Sequence, residues 1–185
     1  PAVAEQLLYD DIVFLPRMIE EHFVFTQALR AVMGEQNVYE LQDLLSDILE
    51  IPAAKKELFQ HLKSIDDLSD ETIDILSQIN SKDLSETLVS GLDNDFQAHL
   101  KPLPNLVFTR DLACVIHDHI LLSKMNKDAR KRESFLFQSI LHYHPFFESF
   151  HGKIIDLLEN EDPENKISIE GGDVMLVHPD YLLIG

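Results

Sequence analysis

At 185 residues and 45% apolar content the chain has enough non-polar surface to bury a core as one domain, with room for a small second one, which excludes a disordered segment. Fifteen Lys and Arg stand against 33 Asp and Glu, and the resulting charge of −18 repels phosphate backbones and anionic lipid headgroups, so nucleic-acid and membrane-surface partners are excluded in favour of a plain acidic surface or a cationic ligand. The one cysteine, Cys114, excludes an internal disulfide and a Cys-rich metal cluster and fits a cytoplasmic protein, and neither an apolar run of about 18 residues nor a basic-then-apolar leader marks a membrane span or targeting signal.

Leu7 to Phe14 is an apolar run interrupted by Asp10 and Asp11, which predicts a short strand leading into Pro16. From Pro16 to Met33 the spacing of Met18, Phe23, Phe25, Ala28, Leu29, Val32 and Met33 predicts a helix, with Pro16 in its first turn and Gly34 just past its end. Four short amphipathic helices follow over Leu41 to Ile51, Ala53 to Ile65, Ser69 to Ile79 and Leu84 to Leu92. Ser69 is placed to cap the third of them. Residues 41–100 therefore read as a helical subdomain between an opening segment (residues 1–40) and a mixed α/β part (residues 101–185).

The α/β part opens at Lys101, where Pro102, Pro104 and Asn105 give an extended lead-in to a strand over Leu106 to Thr109. Leu112 to Ile116 and Ile120 to Ser123 flank His117-Asp118-His119 as a hairpin, and Lys127 to His142 returns to helical period with Phe135, Leu136, Ile140 and Leu141 as its buried face. Strands are expected at Ile154 to Leu158 and Ile167 to Ile169. Val174 to His178 pairs with Tyr181 to Ile184 across Pro179-Asp180. Pro1 is not an initiator residue and Gly185 follows directly on an apolar strand, so a chain cut at both ends is expected.

Two segments gather acidic groups where each of these strands ends: Pro104 to Asp111 and Glu170-Gly171-Gly172-Asp173. A guanidinium stays protonated and presents five N–H donors in a plane, so a pocket for it needs carboxylates that accept paired in-plane hydrogen bonds. Asp111 and Glu170 are the candidates, and the glycine pair lets backbone approach a ligand closely. The other reading of the same spacing has Arg110 paired with a local acid and Asp111 capping a turn. Cys114, between Ala113 and Val115, reads as a buried strand cysteine and not as a nucleophile. The His117/His119 and His142/His144 pairs lack further ligands in metal-binding spacing, and no metal site is expected.

The runs PLPNLVFTRD (102–111) and IEGGDVM (169–175), the latter followed by HPDYLLIG (178–185), together with LLYDDIVFLPRMIEEHFVFTQALR (7–30) and ARKRESF (129–135), stand in the order and spacing of arginine deiminase, and the chain resembles that family over nearly its whole length. The resemblance implies a pseudo-fivefold α/β propeller of ββαβ modules, here partial, with the helical subdomain inserted over residues 41–100. It further implies that Asp111 grips the substrate guanidinium and that Glu170 holds it and orients a catalytic histidine. Asn105, Phe108, Arg110 and Asp173 line or brace the pocket, and Arg130 meets the substrate α-carboxylate; read by spacing alone, Arg130 is a solvated helix charge. In the family a cysteine attacks the guanidinium carbon, ammonia leaves, and water releases citrulline, with no metal or organic cofactor. That cysteine and its His-x-Asp companion lie beyond the Glu-Gly-Gly-Asp motif and outside this sequence, so the 185-residue chain is expected to be inactive alone and to associate with a copy of itself or with the missing half. The alternatives are transfer of the amidino group to an amine, and a non-catalytic guanidine-binding role.

Overall fold

Pro16 sits in the first turn of α1 (Leu15–Met33), where its missing N–H costs no hydrogen bond. The helix stops at Gly34, whose φ of +91° suits a residue without a Cβ and whose N–H donates to the Arg30 carbonyl at 2.9 Å. A computed structural model describes residues 14–95, 97, 99–156 and 168–185. The strand expected over Leu7 to Phe14 lies outside these residues except for Phe14, which is extended and precedes α1. Among the described residues Thr26 is the one buried side chain of α1, while Ile19, Phe23, Val24 and Val32 stand exposed.

Four helices follow as their periodicity predicts: α2 (Leu41–Leu49), α3 (Pro52–Ile65), α4 (Asp70–Gln78) and α5 (Ser81–Ser90). Ser69 caps α4, its Oγ accepting from the Thr72 N–H at 3.1 Å. α5 begins three residues earlier than its apolar spacing suggests, because Asn80 Oδ1 accepts from the Asp83 N–H at 3.0 Å and so satisfies a free donor of the first turn. Leu44, Leu45 and Ile48 of α2, Leu58 and Leu62 of α3, Leu76 of α4 and Leu84 and Leu88 of α5 form one buried cluster. Each such leucine contributes about 1.5–3 kcal/mol by leaving water.

That cluster continues into α7 (Lys131–Tyr143) through Phe135, Leu136 and Ile140. Leu141 of the same helix packs with Ile120 and Leu122 in a second cluster. α7 therefore lies between the helical layer and a small mixed sheet. In this sheet β1 (Ala113–Ile116) pairs antiparallel with β2 (His119–Leu122), Ala113 opposite Leu122, and β2 pairs parallel with β3 (Ile154–Asp156), Ile120 opposite Ile154. The β1–β2 turn puts His117 at a φ of +56°. A second hairpin joins β4 (Val174–His178) to β5 (Tyr181–Ile184) in the expected pairing. Among the described residues no helix is long and apolar enough to cross a membrane.

Three sequence expectations change. The strand expected over Leu106 to Thr109 is instead a 3-10 turn (Pro104–Val107) followed by the one-turn helix α6 (Thr109–Leu112). Its hydrogen bonds close locally: the Phe108 N–H donates to the Asn105 carbonyl at 3.0 Å and the Asp111 N–H to the Phe108 carbonyl at 2.9 Å. The helix expected from Lys127 starts at Lys131, because Asp128–Arg130 forms a separate 3-10 turn. Ile169 makes only an antiparallel bridge to Lys124, while Ile167 and Leu157-Leu158 fall outside the described residues.

Candidate functional site: two carboxylates closed on one guanidinium

The site forms where α6, the first turn of α7 and the turn Gly171–Asp173 meet. Gly171 makes the meeting possible, because a Cβ there would stand 1.8 Å from the Arg110 carbonyl oxygen. The turn is closed from within by Asp173, whose Oδ2 accepts from the Glu170 N–H at 2.9 Å. It is closed from outside by Arg110, which donates from Nε to the Gly171 carbonyl at 3.1 Å and from Nη2 to the Val174 carbonyl at 2.6 Å. Among the described residues Arg110 thus pairs with backbone and not with a local acid. Asp173 and Arg110 both fix the backbone that carries Glu170.

Arg130 ends the 3-10 turn ahead of α7, and its side chain is only 7% exposed. Nε donates to Glu133 Oε2 at 2.9 Å. Nη1 donates to Asp111 Oδ2 at 3.1 Å and to Glu170 Oε2 at 2.7 Å. Arg130 is therefore a buried guanidinium, which overturns the reading of it as a solvated helix charge. Nor does Asp111 merely cap a turn: its carboxylate faces a cation brought in by a different element. Asp111 and Glu170 are about a quarter exposed, whereas the Glu133 side chain is 1% exposed.

Burial opposes charge on both partners at the centre of this cluster. For Arg130 it pulls the pKa down, but the carboxylates of Glu133, Asp111 and Glu170 outweigh it and hold the guanidinium above its ordinary value. For Glu133 burial pushes the carboxyl up, Arg130 pulls it back, and the balance stays above the usual carboxylate range. Three carboxylates contact one guanidinium, an arrangement that favours the approach of a second cation.

Of the remaining expected residues, Asn105 is buried in the Pro104–Val107 turn and Phe108 is 55% exposed at the start of α6; both lead the chain into Asp111. Cys114 lies on β1 beside Arg110 in a groove bounded by Val174 and Met175. Desolvation raises its thiol pKa despite the Arg110 charge, the opposite of what an activated nucleophile needs. Sequence reasoning missed Glu133. An arginine followed three residues later by a glutamate at the first turn of a helix was the available signal.

A profile of the family described as Arginine deiminase matches residues 5–73 and 60–185. An arginine deiminase from Bacillus cereus is 30% identical over 207 aligned positions, covering 100% of this chain and 49% of that protein. One from Bacillus thuringiensis subsp. konkukian is 29% identical over 207 positions with the same coverage, 100% and 49%. The chain thus spans about half the length of the curated relatives it matches. With the family profile covering almost every residue and the whole of this chain aligning to these relatives, the chain belongs to the arginine deiminase family.

Proposed function

We propose that the whole protein hydrolyses L-arginine to citrulline and ammonia, with Asp111 and Glu170 gripping the substrate guanidinium. One observation carries this reading: the two carboxylates already converge on a guanidinium, that of Arg130, at 3.1 and 2.7 Å. A planar cation with in-plane donors is the ligand they are arranged for. On substrate binding, the incoming guanidinium takes the acid pair and Arg130 turns to the substrate α-carboxylate. Arg110 and Asp173 brace the Glu170 turn, and Asn105 and Phe108 line the approach.

In the chemical step a cysteine thiolate from the half of the protein outside this sequence attacks the guanidinium carbon. The C–N bond then breaks as a histidine gives ammonia its proton, and water attacks the same carbon to break the C–S bond and release citrulline. The acid pair holds the cation and aims its carbon at the sulfur. Glu170 also orients that histidine. Cys114 does not serve as the nucleophile, because its desolvated thiol stays protonated. The 185-residue chain alone is accordingly inactive.

The same reading assigns residues 1–40 and 101–185 to ββαβ modules of a five-bladed propeller, with residues 41–100 inserted. The order β1, β2, α7, β3 supports it, as does the pairing of β2 with β3 across the α7 crossover. The exposed faces of β4 and β5 and the apolar side of α1 pack against the remaining modules or a second copy. The protein works in the cytoplasm.

Citrulline and ammonia release from L-arginine tests the proposal, with the full-length protein compared with its Asp111→Ala variant and with the 185-residue chain. Activity confined to the intact wild type supports it. A folded full-length protein that releases neither product contradicts it, and transfer of the amidino group to an added amine in place of water redirects it.

A further inference from the structure

The Arg130 guanidinium is held asymmetrically. Nε is taken by Glu133, a carboxylate 1% exposed on the first turn of α7, which Arg130 immediately precedes, whereas Nη1 reaches acids 19 and 40 residues distant in sequence. Nη2 is buried and has no hydrogen-bond partner among the described residues. The Nε–Glu133 bond therefore fixes the stem and the plane of the group, leaving the Nη1–Nη2 edge to meet whatever enters.

Substrate entry, in the reading above, removes Asp111 and Glu170 from Nη1. Two guanidinium groups then lie side by side in a largely buried site, where an unpaired charge is costly. Among the described residues, Glu133 is then the counter-ion that stays with Arg130. The free Nη1–Nη2 edge is a parallel two-donor fork, and its matching acceptor is a carboxylate.

We infer that Glu133 is a positioning residue that retains Arg130 through Nε and presents its Nη edge to the α-carboxylate of the amino-acid substrate. This rests on the deiminase reading and deepens it: Glu133 makes the enzyme select guanidines that carry a carboxylate, although it touches no substrate atom itself.

Steady-state kinetics on the full-length protein test this, with L-arginine and its decarboxylated analogue as substrates and Glu133→Gln, Glu133→Asp, Arg130→Gln and the Arg130→Gln/Glu133→Gln pair as variants. The expected result for Glu133→Gln is a KM for L-arginine raised about tenfold or more, with kcat and the analogue's kcat/KM each changed less than about threefold. In the Arg130→Gln background the second substitution leaves the preference unchanged. Glu133→Asp keeps the charge and restores part of the preference, which gives a reading even where Glu133→Gln does not fold. Equal loss on both substrates, or an unchanged preference in Glu133→Gln and Glu133→Asp, overturns the assignment. Wild-type protein that turns over neither substrate contradicts the deiminase reading itself, and the role of Glu133 falls with it.

Discussion

Gly171 passes so close to Arg110 that a Cβ at position 171 would overlap the Arg110 carbonyl oxygen at 1.8 Å. Backbone meets backbone there, and no flexible side chain can yield. Gly171→Ala must therefore push the Glu170 turn away from α6, breaking the Arg110 hydrogen bonds to Gly171 and Val174. The expected cost is about 1–3 kcal/mol of stability, read by denaturant unfolding. Activity of the full-length protein should fall further than stability does, because Glu170 moves with the turn. Gly172→Ala is the control: among the described residues its Cβ would meet Asp111 Oδ1 alone, at 3.5 Å, an ordinary contact.

Arg132 is 2% exposed and joins regions far apart in sequence, with Nη1 on Asp66 at 3.0 Å and Nη2 on the Lys101 carbonyl. It ties the end of α3 and the start of the α/β part to α7. Arg132→Leu removes both bonds and leaves Asp66 without this cation. We expect a loss of about 3 kcal/mol in denaturant unfolding, with the activity of the remaining folded protein little changed.

The β1–β2 turn carries a pH-dependent contact. Lys153, and after it His119, hold the Asp118 carboxyl at about 2, below its ordinary 3.8. Because the folded value is depressed, the stabilisation is complete above 3.8 and is lost as pH falls toward about 2. An NMR titration of the Asp118 carboxyl should find its midpoint in that low range. Lys153→Met should move it upward while leaving the remaining His119 contact, 2.8 Å from Asp118, in place.

Much of the architecture was legible because apolar spacing and turn chemistry agreed. Leu44, Leu45 and Ile48 repeat at helical intervals and are buried together, Ser69 caps where a serine should, and Pro179-Asp180 lies between β4 and β5. Leu106 to Thr109 misled because a short apolar run after two prolines fits a strand or a tight turn equally well, and only the local bonds to the Asn105 and Phe108 carbonyls decide. Asp111 and Glu170 were legible as acids suited to a guanidinium. The guanidinium between them was not, since Arg130 followed by Glu133 looks like an ordinary exposed helix pair until Asp111 and Glu170 close over it.

Binding of the substrate guanidinium by the acid pair is read from kcat/KM for citrulline release from L-arginine in the full-length Asp111→Asn, Glu170→Gln and double variants. If the two carboxylates hold one group, each single variant loses at least about 100-fold and the double variant is not much worse than either. Single variants that retain kcat/KM within about threefold of wild type, in protein that melts as wild type does, contradict it.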